Sequence, residues 1–103
     1  MTRFFACRAE IHYDDDRPVH EDDDALVDLD DGVLICCYWD DDGAVVFEGR
    51  EDEPGRFTLK ARSRPRVACL VHSVESGVME GTWQERDDTG RIRIELGEEG
   101  QKR

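Results

Sequence analysis

Aspartate is the residue this chain gathers most often where chemistry needs donors. Asp40-Asp41-Asp42 stands immediately before Gly43, and Asp28, Asp30 and Asp31 stand before Gly32. Carboxylate oxygens collected ahead of a glycine turn are the donor set of a hard cation such as calcium. The EF-hand spacing fails at both places. At Gly43 its first ligand position falls on Tyr38 and its bidentate position on Gly49, and at Gly32 the carboxylates are one residue out of register. What is left is an irregular oxygen site where loops converge at one end of the fold. Its candidate ligands are Asp40, Asp41 and Asp42 and its candidate partner is a divalent cation. Solvated charge, which also keeps a β-rich chain from aggregating, is the competing reading.

Aromatic residues adjoin the same turn. Tyr38 and Trp39 are neighbours, so in a strand they face opposite ways. One belongs to the core; the other is a lid or an exposed ring. An exposed ring beside Asp40–Asp42 suits a cationic ligand or an Arg/Lys-rich peptide, by cation–π attraction and charge. Tyr38, Trp39 and Trp83 form the candidate ligand-binding set, with two packed aromatics as the plainer alternative. His20 with Asp22 and Asp24 offers a transition metal three donors, but no zinc-type spacing accompanies them. Cys7, Cys36, Cys37 and Cys69 contain no C-x-x-C pair and read as buried, reduced thiols, a Cys7–Cys69 disulfide being the alternative. No G-x-S-x-G, phosphate loop or dinucleotide fingerprint occurs, so no catalytic residue and no cofactor is assigned, and an enzyme is not expected.

The elements that would position these residues are strands. Phe5, Cys7, Ala9, Ile11 and Tyr13 alternate with more polar neighbours from Thr2 to Tyr13. Strand patterns recur at Val33–Trp39, Ala44–Glu48, Arg56–Arg62, Val67–His72, Val78–Gln84 and Arg91–Leu96. Turn pairs stand between them at Asp42-Gly43, Pro54-Gly55, Ser76-Gly77 and Thr89-Gly90. Val33–Trp39 and Val67–His72 are apolar on both faces. The stretch from Asp14 to Asp31 is acidic at ten of eighteen positions and reads as a loop or a short helix from about Asp22. The pattern predicts one all-β domain over residues 1–97, an antiparallel up-and-down barrel or strongly curled sheet of six or seven strands. Residues 14–31 would cross one end of it, and residues 98–103 would form a polar, flexible tail.

Gly81-Thr82-Trp83, followed by a returning strand at Gly90–Leu96, resembles the G-x-W hairpin of lipocalin-like and other calycin small β-barrels. The resemblance covers about twenty residues and lies near the C-terminus, whereas lipocalins carry the motif on the first strand. It implies a barrel in which Gly81 permits close backbone approach and Trp83 plugs one end.

Composition bounds the function. Charged residues make up 39% of the chain and the formal net charge is −12. That excludes nucleic acid and anionic membrane surfaces as expected partners, since both demand clustered cations. Only Lys60 and Lys102 are lysines against twelve arginines, which fits a salt-adapted proteome or a GC-rich genome. The one basic cluster sets Arg62, Arg64 and Arg66 around Pro65, with Arg56 and Lys60 on the preceding strand; Arg56, Lys60, Arg62 and Arg64 read as an outer face paired across the sheet with Glu80, Glu85 or Glu95, or as a small anion site. Phe4–Cys7 is too short for a secretion signal, so a cytoplasmic location is expected. The expected function is a protein-interaction or homo-oligomerising module. The alternative is a barrel that binds a small ligand or a calcium-type ion at its mouth.

Overall fold

Thr2–Tyr13 forms strand β1, in which Cys7, Ala9 and Ile11 turn inward and are closed to solvent. The computed structural model describes residues 2–41, 43–73 and 76–100. After β1 come β2 (His20–Asp30), β3 (Val33–Asp40), β4 (Gly43–Glu53), β5 (Arg56–Ala61), β6 (Arg66–Ser73), β7 (Val78–Glu85), β8 (Asp88–Glu95) and β9 (Glu98–Gly100). Every sheet pairing is antiparallel, and β2 to β8 follow one another as a meander. β1 pairs with β2 on one side and with β8 on the other, Ile11 standing opposite both His20 and Ile92. The sheet therefore closes into an eight-stranded barrel, which removes the two open edges of a meander.

Three sequence expectations change. The acidic segment is not a loop or helix from His20 onward; it is β2, the strand that completes the barrel. Ala25, Val27 and Leu29 occupy alternate positions and turn inward, while Leu26, Asp28 and Asp30 turn out. Extended backbone sends successive side chains to opposite faces, so it spreads the carboxylates more widely than a helix would. The second change concerns Thr89-Gly90, which is not a turn. The β7–β8 turn falls at Arg86 and Asp87, with Arg86 at φ 54°, and Gly90 lies inside β8. Third, Glu98–Gly100, expected in a polar tail, add β9 beside Arg3–Phe5. A bulge in β1 around Ala6 marks where its partner changes from β8 to β9.

The interior is a single cluster of inward side chains. Leu34, Tyr38, Phe47, Leu59, Leu70 and Met79 are among its largest members, all at 1% exposure or less. Glycine makes the tight wall feasible. A Cβ on Gly81 would lie 1.6 Å from the Cys69 carbonyl oxygen, and one on Gly90 would lie 1.8 Å from that of His12. A strand that must lean this closely on its neighbour tolerates no side chain.

Gly81→Ala should therefore destabilise the barrel by about 3 kcal/mol, the upper range for overpacking a well-filled site. Denaturant unfolding measures it; a loss under about 0.5 kcal/mol would show that the β6–β7 approach relaxes freely.

Candidate functional site

The residues singled out in the sequence separate into two places, the end of the barrel and its outer wall. At the end stands Arg66, the one charged side chain that is buried among the described residues. It begins β6 and shares the inward parity of Ala68 and Leu70. Its Nη1 donates to the Tyr38 hydroxyl oxygen at 2.7 Å and its Nε donates to Glu85 Oε1 at 2.9 Å. Its guanidinium lies 4.9 Å from the centroid of the Trp83 ring. Asp40 Oδ2 stands 3.9 Å away and accepts the Arg64 Nη1 donor at 2.6 Å.

Around this centre the mouth is closed by stacked groups. Tyr13 meets Trp83 edge-on at 5.1 Å, and Arg17 lies over the Tyr13 ring at 4.1 Å. Arg17 also donates to Asp15 and Asp88, which ties the β1–β2 connection to the β7–β8 turn. The Trp83 indole donates to the His12 carbonyl oxygen at 3.1 Å, in the space that Gly90 leaves open. Among the described residues no buried side-chain nitrogen or oxygen lacks a partner. A mouth sealed this way pre-satisfies its own polar groups. A surface hollow of about 290 Å³ is left outside the seal, bordered by Pro18, Val19, His20 and Asp41.

Tyr38 and Trp83 are thus brought together through Arg66, at 1% and 3% exposure, and act as packing residues. Trp39 is not with them: it projects from the outer wall and is 58% exposed. Asp40 is engaged by Arg64 through both carboxylate oxygens, and Asp41 is exposed. Asp42 lies outside the described residues. Among the described residues no group of three or more histidines, cysteines or carboxylates is placed to hold a metal ion. The four thiols are unpaired. Cys36 is fully buried and Cys37 faces outward and is partly exposed, as adjacency requires. Burial pushes the Cys36 thiol well above its ordinary value.

The outer wall of β2, β3 and β4 carries the second place. Leu26, Cys37 and Val46 are direct neighbours across three strands, all facing out. Ile35 and Trp39 flank Cys37 along β3, and Ala44 stands opposite Trp39. The β2–β3 ladder runs only from Asp30 to Leu26, so the Trp39 backbone has no partner strand on that side. Two β2 side chains take its place. Asp22 Oδ2 accepts the Trp39 N–H at 2.7 Å, and His20 Nε2 is 2.6 Å from the Trp39 carbonyl oxygen, which accepts from it. The loop-like sequence around His20–Asp24 therefore holds the backbone of the exposed tryptophan in place. Residue types alone showed His20 and Asp22 together but as metal donors, because the end of a ladder is invisible before strands are paired.

The sequence shows Arg66 only as a member of the basic cluster, and its inward role was missed. Arg62 pairs outward, but with Glu48 at 2.7 Å instead of Glu80, Glu85 or Glu95; Arg64 goes to Asp40, and Arg66 turns inward to Glu85. The available signal was the shared parity of Arg66 with Ala68 and Leu70. Compared with known proteins, the chain matches no family model, no curated protein and no solved structure.

Burial raises the Tyr38 hydroxyl to about 12, an effect that the Arg66 cation only partly offsets. An unfolded tyrosine ionises near 10, so the stability tied to this group is intact below pH 10 and falls as the pH rises through 12. Buried thiols, Cys36 above all, begin a similar loss near their ordinary value of 9. A tyrosinate absorbance titration should show a late step that Tyr38→Phe removes. A Tyr38 step near 10 would mean the barrel end is open to water.

Proposed function

We propose that this protein is a non-enzymatic interaction module that receives another protein on the outer face of β2–β4 around Trp39. The observation that carries the reading is an exposed aromatic set in an apolar row. Trp39 is 58% and Leu26 40% exposed, and Cys37, Ile35, Ala44 and Val46 extend the row at partial exposure. A tryptophan whose backbone is pinned by Asp22 and His20 has less backbone freedom to lose on docking, and aromatic anchors dominate interfaces. Charged pairs rim the face, Arg3 with Asp28 and Arg62 with Glu48. An apolar centre with a charged rim is the anatomy of a recognition patch.

A filled interior supports this reading over a carrier that encloses its ligand. The likeness to calycin small barrels extends to closure with eight strands, a tryptophan at one end and a glycine that permits close approach; among the described residues the inward side chains form one buried cluster. The four unpaired thiols suit a reducing compartment, so the same proposal places the protein in the cytoplasm. One observation favours a second reading. The hollow of about 290 Å³ at the mouth is close to the lower size of small-ligand sites and is bordered by Arg17, His20 and Asp41, so a small polar molecule is its natural occupant.

A photo-crosslinking residue in place of Trp39, expressed in the native host, should yield a defined protein adduct. The same residue at Glu80 on the opposite wall should not, and Leu26→Glu should abolish the adduct. Equal labelling from both walls would overturn the module reading.

A further inference from the structure

The occupant of the Trp39 face can be specified further, on the basis of the interaction-module reading. Carboxylates around this ring differ from the others on the wall. Asp28, Glu48 and Asp40 are each held by an arginine. Among the described residues no arginine or lysine pairs with Asp22, which accepts the Trp39 N–H, with Asp24, two residues further along β2, or with Asp41, two residues beyond Trp39. Asp24 and Asp41 are exposed. The face therefore combines an open indole ring, an apolar row and negative charge without its counter-charge.

We infer that the partner is a basic segment of another protein, extended, with an arginine or lysine two residues from an apolar side chain. The geometry follows from β3. Trp39 and Cys37 lie on the same side of one strand, two residues and hence about 7 Å apart. An extended partner repeats at the same interval, so an apolar residue seated on Leu26, Cys37 and Val46 brings its second neighbour over Trp39. There a cation meets the face of the ring, and Asp24 and Asp41 compensate its charge. A second copy of this chain is a poorer occupant. It would bring Asp24 and Asp41 of both molecules together, on a chain whose net charge is −12.

The probe is a capped synthetic heptapeptide that alternates serine with arginine, leucine and arginine. It is titrated into the isotope-labelled full chain at fixed ionic strength while amide shifts are recorded. Saturable shifts confined to β2, β3 and β4 are expected. Trp39→Ala should weaken binding about tenfold, the loss of one desolvated cation–π contact with its apolar neighbour. Asp24→Asn with Asp41→Asn should weaken it about threefold at low salt and little at high salt. A peptide with glutamate in place of arginine should not bind.

Shifts spread over every acidic strand, or binding indifferent to Trp39→Ala, would overturn the proposal, since the peptide would then be sampling net charge alone. Concentration-dependent shifts of the same face without peptide would overturn it in favour of self-association. If the heptapeptide fails to bind while crosslinking at position 39 still yields a defined adduct, the module reading stands and the basic partner falls.

Discussion

The hydrogen bond between Arg66 and Tyr38 fixes which way two strands face. β3 has apolar residues on both sides, so hydrophobicity alone does not choose its inward set. Leu34, Cys36 and Tyr38 compete with Val33, Ile35, Cys37 and Trp39. A slip of one residue would exchange them. Turned outward, Tyr38 would leave the Arg66 guanidinium its Glu85 carboxylate but not its hydroxyl partner, and losing a buried hydrogen bond to a charged group costs about 1.5–3 kcal/mol. The polar bond at the barrel end thus selects the parity that exposes Trp39. The core and the exposed Trp39 face are two results of one choice of register.

This is also why the fold was more legible than the site. Alternation marked the meander from β3 to β8 and the full extent of β1, and the hairpin with Gly81 and Trp83 pointed to closure at one end. The sequence was misleading where composition outweighs pattern. Between His20 and Asp30 the carboxylates dominate, and the three inward residues Ala25, Val27 and Leu29 are too few and too small to stand out against them. Thr89-Gly90 looks like a turn, yet glycine also serves where backbones touch, and only the position of His12 tells the two uses apart. The site was legible as an aromatic beside aspartates. The division of labour between Tyr38 and Trp39 was not, because it depends on Arg66, a residue of β6 that is remote in the chain.

A closed barrel has only one apolar compartment. Strands that are apolar on both faces are ordinarily sandwiched between layers. Here no second layer exists among the described residues, so Val67 and Val71 on β6, like Leu26 and Trp39, meet solvent at 40% exposure or more. The two stripes differ in company. Val67 stands between Lys60 and Gln84 and Val71 between Arg56 and Glu80, without an aromatic. Of the two, the β2–β4 stripe is the one that joins an open ring to carboxylates without a cationic partner among the described residues.

Closure through β1 has a consequence for how the protein is made. β1 is made before every other strand of the barrel and is completed by β8, the last of the eight, since Ile11 must wait for Ile92. Until then β1 has an unsatisfied edge, and the growing meander offers a second at its advancing side. Such edges invite pairing with other chains. Segments translated in that interval carry Asp14–Asp16 and Glu21–Asp24, and their mutual repulsion keeps two nascent copies apart. The acidity of this chain then acts in time as well as in space: it opposes such pairing while the sheet is open and gives the Trp39 face its negative sign afterwards.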